Sequence, residues 1–437
     1  MKFCFLKYRR LCIVSVLLLS VTAVFPQGNT TEFEVNGLKV ILRHTQKETI
    51  VMNMYFKGGS SNYTAANAGI ESLALSGITE CGTTKYSAAE FNDQRDEYGL
   101  HLFGDATNDY GVVKLRCISK YMNEGWKLFV SAIAAPSFET QKFMLLKEQK
   151  ISDLKSVLSR PDAKLARLAQ EFAFSTTPYA VNPDGTVTSL ENLNRDAVKD
   201  YYYNTLLNKN RMFLVVAGNI SKEDLEKKIL EDFSSVPVKE YVPENIAIAP
   251  FTQDVFKIES MPVATNYLCG VMTAPGLTSR DYPAFRFSVS ILHSILFDVI
   301  RLQKNLSYAP SAKFSEGRIS YATMYASTTK PWEVVTSMRK VLSQMKQRFF
   351  TDKTIEKIRR HELLSIEKKK EEMAYIAGQL GRAEIAGNWK FSEVMEERMA
   401  EVTAADIQSV ITRYGRHIAW VYIGDEKMGE RAFNETE

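Results

Sequence analysis

The sequence predicts an α+β protein of two homologous domains, each of about 200 residues with a mainly antiparallel sheet packed against helices. Three observations lead to this prediction. The chain has 437 residues, of which 45% are apolar and 24% charged. This composition is sufficient for hydrophobic cores and excludes disordered, collagen-like and small disulfide-stapled proteins. Near the end of each half, a helix precedes an apolar strand that stops at a glycine, at Gly218-Asn219 and at Gly424-Asp425. Strand patterns restart after the first of these units, as in a duplicated module.

The order of these features divides the chain into four segments. The stretch from Ser234 to Thr252 contains Pro237, Pro243 and Pro250, which is typical of a linker. We therefore expect a signal peptide over 1–27, an N-terminal domain over 28–235, a linker over 236–252 and a C-terminal domain over 253–437.

The first residues are typical of a secretory signal. Basic residues up to Arg10 lead into the apolar run from Leu11 to Phe25, which is too short for a comfortable membrane span. Polar residues follow, and we expect cleavage between Ala23 and Gln27. An uncleaved anchor helix is the alternative. No later stretch is expected to approach a membrane span.

The charge balance does not indicate nucleic-acid binding. Lys and Arg total 55 against 51 for Asp and Glu, but Lys2, Lys7, Arg9 and Arg10 lie in the predicted signal. The remaining chain is neutral, so its basic isoelectric point predicts no nucleic-acid partner.

Turn and cap signals place the predicted elements. Asn36-Gly37 supplies the positive φ values of a tight hairpin turn, and Ser87 with Glu90 forms a capping box, as Thr403 with Asp406 does. Strands are expected at Phe33 to Val35, Leu38 to Leu42, Ile50 to Phe56, His101 to Thr107, Tyr110 to Ile118, Met212 to Ala217, Val255 to Ile258, Asn266 to Met272 and His417 to Ile423. Helices are expected from about Ala66 to Glu80, from Ser87 to Gly99, from about Lys120 to Leu158 with breaks at Pro136 and Pro161, near Asn194 and from Lys222 to Phe233.

Local motifs for catalysis are missing from the sequence. The five histidines lie more than five residues apart, whereas catalytic zinc usually takes three protein ligands. His361-Glu362 begins like H-E-x-x-H, but Ser365 replaces the second ligand, which favours a solvated helix. Nucleophile-elbow, phosphate-loop and dinucleotide fingerprints do not occur. The mature chain keeps three cysteines, Cys81, Cys117 and Cys269. They are too few and too widely spaced for a disulfide framework or a metal site, and a single disulfide bridge is the alternative.

Several short motifs occur in a consistent order and spacing along the mature chain. They are Asn36-Gly37-Leu38, Gly58-Gly59-Ser60, Ala68-Gly69-Ile70 through Gly82-Thr83, Pro178-Tyr179, Asn210-Arg211-Met212 leading to Gly218-Asn219, and Arg301 through Tyr308. With them the chain resembles the pitrilysin/insulinase family of zinc peptidases, in its two-subunit, mitochondrial-processing-peptidase-like branch. The resemblance implies half of a clamshell built from two such domains.

The resemblance also implies that this chain has lost the metal site. Active members carry the inverted motif H-x-x-E-H after the Gly-Ile position, and a distal glutamate completes the zinc site. Here the corresponding helix contains Ser72 to Ser76, or Leu73 to Gly77 in the other register, without a histidine or glutamate at the motif positions. The distal glutamate falls near Asp153, which alone cannot hold zinc and is expected to be a surface acid. No cofactor is expected on this chain.

A second family feature is present in the C-terminal half. The family pattern R-E-x-x-G-L-A-Y matches Arg301 through Tyr308, with Asn305 at the position of the glycine. The resemblance implies that Arg301 and Tyr308 bind a substrate carbonyl in an oxyanion-type role. Asparagine tolerates the left-handed backbone that glycine allows. From composition alone, a helix-terminal cation and an edge-strand aromatic are the ordinary alternatives.

The resemblance therefore predicts a non-catalytic, substrate-binding subunit of a heterodimeric zinc peptidase in the bacterial periplasm or cell envelope, inactive alone. A homologous subunit would carry the zinc, and unfolded peptides would bind as an added strand at a sheet edge. The alternative is a peptide-binding or assembly scaffold without a role in proteolysis, as in the core proteins of the ubiquinol-cytochrome c reductase. A stand-alone peptidase with other ligands is a third reading.

Overall fold

Two sheets of related topology form the framework of the molecule. The computed structural model describes residues 30–246, 248, 250–347 and 350–434, so the predicted signal peptide over 1–27 lies outside the described residues. The first sheet has six strands in the order β1-β2-β6-β3-β5-β4, and the second has five in the order β7-β11-β8-β10-β9. Their ranges are β1 (Thr30–Val35), β2 (Leu38–His44), β3 (Thr49–Lys57), β4 (His101–Ala106), β5 (Tyr110–Ile118), β6 (Met212–Gly218), β7 (Val255–Ser260), β8 (Asn266–Thr273), β9 (Ser311–Ser315), β10 (Tyr321–Thr328) and β11 (Ala419–Gly424).

Helices connect and cover these strands. Those of the first half are α1 (Ile70–Glu80), α2 (Ala88–Glu97), α3 (Met122–Ala134), α4 (Thr140–Ser159), α5 (Pro161–Ala173), α6 (Val187–Asn192), α7 (Arg195–Tyr201) and α8 (Lys222–Asp232). Those of the second half are α9 (Tyr282–Leu296), α10 (Pro331–Gln347), α11 (Asp352–Lys369), α12 (Met373–Ile385), α13 (Lys390–Glu393), α14 (Met395–Ala400), α15 (Ala404–Tyr414) and α16 (Glu426–Asn434). A π-helical segment, Phe297–Gln303, continues α9.

The pairing of the strands confirms the predicted duplication. Strands β2 and β6 are parallel, as are β7 and β11, and the other pairs of both sheets are antiparallel. Gly218 and Gly424 end the two equivalent strands β6 and β11 with φ values of 150° and 154°. A β-carbon at Gly218 would lie 2.8 Å from the Cα atom of Ile50, so both the backbone and the space require glycine there.

Each half contributes one helix to the outer face of the other half's sheet. Helix α12 packs Ala377 and Leu380 on the first sheet, where they meet Tyr55 and Phe213. Helix α5 packs Leu165 and neighbouring apolar residues on strands β8 and β11 of the second sheet. The predicted two-domain architecture is therefore correct for the two sheets, but each half packs one of its helices on the sheet of the other half. The predicted boundaries of the domains and linker stay a prediction.

A polar contact also joins the halves. Asp109 Oδ1 accepts a hydrogen bond from the Tyr179 hydroxyl at 2.6 Å, and Asp109 Oδ2 accepts one from the Arg318 backbone N–H at 3.0 Å. The Tyr179 oxygen in turn accepts from the Ile319 backbone N–H at 3.2 Å. This contact fixes the start of β10 against the loop between β4 and β5.

One predicted helix start differs in the structure, and one predicted break is confirmed. The helix expected from about Ala66 begins only at Ile70, because Gly69 adopts φ 91° after a short 3₁₀ turn. The break predicted at Pro161 is confirmed: α4 ends at Ser159, and the proline opens α5 at its first position, where its missing N–H costs nothing.

The expectation that no later stretch approaches a membrane span was wrong in length and composition. The helix Tyr282–Gln303 has 22 residues with a mean hydropathy of 1.4 over its most apolar window. Its residues Phe285, Leu292 and Leu296 are fully buried in the core of the second half. This packing explains its composition as that of a core helix.

Candidate functional site

The structure brings Arg301 and Tyr308 together at the end of the long core helix. The Arg301 guanidinium carbon lies 4.2 Å from the centre of the Tyr308 ring and 4.9 Å from that of Phe297. Such distances are typical of cation–π contacts, which are strongest when the cation faces the ring. Arg301 therefore contacts two rings, and Phe297 is a partner that the sequence pattern did not reveal.

A tight turn between Arg301 and Tyr308 makes this contact possible. Asn305 has φ 50°, the left-handed backbone that asparagine tolerates and that glycine would allow. The Leu306 N–H donates to the Ile300 carbonyl at 2.8 Å, and the Thr328 hydroxyl donates to the Leu306 carbonyl at 2.6 Å. The turn thus folds the chain back onto the helix and ties it to β10.

Tyr308 is open to solvent and Arg301 is half-buried. Tyr308 is 79% exposed and the neighbouring Leu302 is 65% exposed. Within the described residues, no carboxylate lies within ion-pair distance of Arg301. Tyr308 lies in the loop before β9, so the edge-strand alternative does not apply to it. The guanidinium N–H groups are available to a carbonyl or carboxylate of a ligand.

The helix that aligns with the zinc motif is α1, and its Ser72 contacts α4. The Lys150 ammonium of α4 donates to the Ser72 hydroxyl at 2.9 Å. Ser72 and Ser76 are both buried, one helical turn apart. Burial raises the pKa of Glu80 and of Asp184, and the Lys150 charge lowers both in part. A fixed ammonium with nearby acids therefore lies between the two helices.

The sequence placed the distal acid near Asp153 and overlooked Lys150. Asp153 is exposed, as expected of a surface acid, and accepts a hydrogen bond from Gln149 Nε2 at 2.8 Å. Lys150 lies three residues earlier, on the face of α4 that meets α1. The position of Lys150, three residues before Asp153 on the same helix, was the sequence signal that could have identified it.

Glu71 forms a buried polar cluster next to these serines. Its Oε2 atom accepts hydrogen bonds from the Tyr201 hydroxyl at 2.6 Å and from Asn62 Nδ2 at 3.0 Å. Arg211 donates to Asn62 Oδ1 at 2.5 Å and stacks on the ring of Tyr241 at 4.1 Å. Burial raises the pKa of Glu71 to about 7, although the two hydrogen bonds and the Arg211 charge lower it. Glu71 therefore titrates near neutral pH.

The histidines do not come together in a metal site. Among residues 30–246, 248, 250–347 and 350–434, no group of three or more His, Cys, Asp or Glu side chains is placed to hold a metal ion. His361 is exposed, as predicted, but the neighbouring Glu362 is not solvated. It accepts from the Ser290 hydroxyl at 2.6 Å and pairs with Arg286 at 3.3 Å.

The three described cysteines are free and buried. Burial raises the pKa of Cys81 to about 12, that of Cys117 to about 11 and that of Cys269 to about 12. Thiols with such pKa values are poor nucleophiles at neutral pH. They act as small apolar residues of the cores.

Comparisons with known proteins agree with this fold. Residues 192–361, which include Arg301 and Tyr308, match the family model described as Peptidase M16 inactive domain. No curated protein matches the chain. Three solved structures of similar fold are a peptidase M16 inactive domain from Pseudomonas fluorescens (TM-score 0.82, 17% identity, 91% of this chain and 98% of that one), a protease from Helicobacter pylori (0.82, 14%, 90% and 99%) and the periplasmic protease PqqL from Escherichia coli (0.76, 13%, 96% and 49%).

These likenesses have a defined reach. The identities of 13% to 17% show a shared fold, and the match to the inactive-domain model runs from the end of the first half into the second. The chain spans about half the length of PqqL. The fold class predicted from the sequence is confirmed.

Proposed function

We propose that this chain is the non-catalytic, substrate-binding subunit of a heterodimeric zinc peptidase. The observation that carries this proposal is the contact of the half-buried Arg301 with the exposed Tyr308, since the guanidinium has no acidic partner within the described residues. A pair held in this way offers hydrogen-bond donors outside the molecule. The family match over residues 192–361 supports a peptidase-type role for the half that carries the pair.

In this role the chain binds and orients a peptide. Arg301 donates to a backbone carbonyl of the peptide, and the Tyr308 hydroxyl donates to the same oxygen as negative charge develops on it. The rings of Phe297 and Tyr308 restrict the guanidinium, so less side-chain entropy is lost when the peptide binds. Zinc on the partner subunit would supply an activated water.

The first half of this chain supports the division of labour. Ser72 and Ser76, or Leu73 and Gly77 in the other register, stand where the resemblance would place histidines, and the Lys150 ammonium lies beside Ser72. An ammonium repels a divalent cation, and serine hydroxyls are weak zinc ligands. We therefore propose that the partner is a zinc-bearing homologue and that both subunits act in the periplasm or cell envelope after removal of the signal.

Reconstitution with such a homologue tests the proposal. We expect Arg301→Ala to lower the peptidase activity of the co-expressed complex about 100-fold, the usual effect of removing one donor to a developing oxyanion, and Tyr308→Phe to lower it about 10-fold. Arg416→Ala, at another exposed arginine, serves as the control and leaves activity unchanged. The isolated chain should contain far less than one zinc per molecule. Activity indifferent to Arg301→Ala and Tyr308→Phe would instead favour the peptide-binding or assembly scaffold.

A further inference from the structure

A groove lies on the outer face of the first sheet, beside α12. Its cavity of about 420 Å³ falls in the range of ligand pockets, roughly 300–1,000 Å³. Strands β3 and β5 form the floor, β4 forms one wall, and α12, which comes from the second half, forms the other. Helix α1 packs on the opposite face of the same sheet. We call this cavity the α12 groove, and its lining includes Asn53, Phe103, Lys114, Arg116 and Arg382.

Neighbouring strands bring an aromatic ring, a cation and an amide into one row. Phe103 of β4, Lys114 of β5 and Asn53 of β3 lie opposite one another, and Arg116 lies two residues further along β5. Facing residues of this kind point to the same side of a sheet. The Lys114 ammonium leans toward β4, where it lies 5.2 Å from the centre of the Phe103 ring and 3.5 Å from Asp105 Oδ2. The space above Asn53 is therefore left to the groove.

Positive charge predominates around the groove. Arg116 is exposed and Arg382 half-buried, and neither has a carboxylate within ion-pair distance in the part of the chain that the structure describes. A β-carbon at Gly378 would lie 3.2 Å from Arg382 Nη1, so the glycine leaves room for this guanidinium along α12. Burial raises the pKa of Tyr110, and the Arg382 charge lowers it in part. With Lys114, three cations line the groove, and no carboxylate of the described chain does.

Asn53 supplies a polar atom that the protein itself leaves without a partner. The residue is 3% exposed, and its Oδ1 atom has no hydrogen-bond partner among the residues that the structure describes. Such buried atoms are rare, because each loses its hydrogen bond to water without compensation. Asn53 lies on the groove side of β3, opposite Lys114. A ligand with a hydroxyl group would satisfy the Oδ1 atom by donating to it.

The size of the groove and its exposed ring indicate a ligand larger than a bare ion. Phe103 is 48% exposed, and the facing wall of α12 carries the small residues Ala374 and Gly378. From Ala374 to Arg382 this wall is about 12 Å long, at 1.5 Å per residue. An inorganic ion would occupy only a small part of the cavity, since a water molecule takes up about 30 Å³. The space between the ring and the small residues suits a flat or ring-shaped molecule.

We propose that the α12 groove binds a small ring-shaped oxyanion that carries a hydroxyl group. An acidic sugar and a hydroxylated aromatic acid share this chemistry. The oxyanion accepts hydrogen bonds from Lys114 and Arg116, and Arg382 adds positive charge from the opposite wall. The ring lies against Phe103, and the hydroxyl group donates to Asn53 Oδ1. This inference does not rest on the proposed function, because Arg301 and Tyr308 belong to the second half.

Titration calorimetry of the mature chain tests the site with D-glucuronate, 4-hydroxybenzoate and inorganic phosphate. We expect one of the two ring-bearing probes to bind about 10-fold more tightly than phosphate, because only such a probe buries apolar surface against Phe103. Preference for glucuronate would identify a sugar ligand, and preference for 4-hydroxybenzoate an aromatic acid. Since the ligand contacts both the sheet and α12, the preferred probe should also slow hydrogen exchange of residues 374–382.

Two variants with the same change in charge show whether the groove holds the probe. Arg116→Met should weaken binding about 10-fold, the effect of losing a hydrogen bond between charged groups. Lys120→Met removes a charge from an exposed position outside the groove and should change affinity less than about twofold, because salt screens exposed charges. Equal losses in these two variants would overturn the inference. So would phosphate binding as tightly as the ring-bearing probes, or no binding of either of them at about 10 mM.

Asn53→Leu separates binding from a merely structural role. Leucine has a similar size and removes the acceptor that has no partner, so the midpoint of thermal unfolding should not fall. Affinity for the preferred probe should fall about fivefold, the effect of one net hydrogen bond. A lower midpoint with unchanged affinity would show that Asn53 only supports the sheet and would overturn its place in the site. If Asn53→Leu fails to fold, the exposed Arg116 still decides the outcome through its own variant.

Discussion

The regions around α1 in the first half and around α9 in the second are built from equivalent elements but differ in charge and in access. In the first, the cation Lys150 of α4 reaches the Ser72 hydroxyl of α1. In the second, the anion Glu362 of α11 reaches the Ser290 hydroxyl of α9 and Arg286 beside it. The second region keeps a groove of about 760 Å³ beside its edge strand.

The close approach of strand and helix explains why the first region is narrower. A β-carbon at Gly104 of β4 would lie 2.9 Å from the Leu75 side chain of α1 and closer still to its carbonyl. In the second half, the His293 ring of α9 lies against Ala312 of β9 and accepts its N–H at 3.2 Å. The same framework can therefore be closed or open depending on a few side chains at one helix face.

The largest expected effect is on the ion pairs of the open region. Arg286→Met would leave Glu316 and Glu362 without their cation in a partly buried place, so we expect the free energy of unfolding to fall by about 4 kcal/mol. Urea denaturation measures it. Arg360→Met, at a side chain that is 79% exposed on the same α11, should change stability by less than about 0.5 kcal/mol. A loss below 1 kcal/mol for Arg286→Met would contradict this account.

The closed region should respond to pH. Because burial raises the pKa of Glu71 from 4.5 to about 7, the folded state holds a proton there that the unfolded state has lost. Stability from this group is greatest below pH 4.5 and is lost as pH rises through about 7. The loss between pH 5 and pH 8 is about 2.5 kcal/mol. Glu71→Gln keeps an acceptor for Tyr201 and Asn62, and its unfolding free energy should lack this decline. Parallel pH profiles of the two proteins would refute the assignment.

Lys150 should contribute less to stability than Arg286 or Glu71. Lys150→Met removes the donor to Ser72 and the positive charge near Glu80 and Asp184, and we expect a loss of about 1.5 kcal/mol, in the range of a hydrogen bond to a charged group. Lys155→Met, at an exposed lysine on the same helix, is the control. Equal stabilities of the two variants would show that the ammonium does not hold α1 and α4 together.

The smallest effect concerns the turns that precede the two edge strands. Gly99 before β4 and Asn305 before β9 have φ values of 59° and 50°. Asn305→Gly should leave the free energy of unfolding within about 0.5 kcal/mol of the wild type. Asn305→Ala should lower it by about 1 kcal/mol, because the left-handed backbone is unfavourable for alanine. Gly99→Ala should cost as much as Asn305→Ala. Thermal denaturation of the three variants decides whether the turns are equivalent.

Much of the fold was predictable because its signals are local. The Asn36-Gly37 turn, the capping boxes at Ser87 and Thr403, and the glycines that end β6 and β11 each act within a few residues. The sequence placed the start of α1 too early, because only the backbone conformation of Gly69 delays the helix to Ile70. The exchange of α5 and α12 could not be foreseen, since an apolar helix face does not reveal which sheet it covers.

The site was predictable only in part, for a related reason. The spacing from Arg301 to Tyr308 and the Asn305 turn follow from one short segment. Phe297 and Lys150 act through contacts, one across a turn of helix and the other between helices far apart in the chain. The groove beside β9 depends on α11, which comes from a distant part of the sequence.

The exchange of helices between the halves determines whether either half can fold alone. Either half produced alone would leave one broad sheet surface bare, including Tyr55 and Phe213 in the first and Val271 and Val421 in the second. Such a fragment should aggregate, and mixing the two fragments should restore a native particle. Conversely, a protease cut in the stretch from Ser234 to Thr252 should yield two pieces that migrate together until denaturant is added.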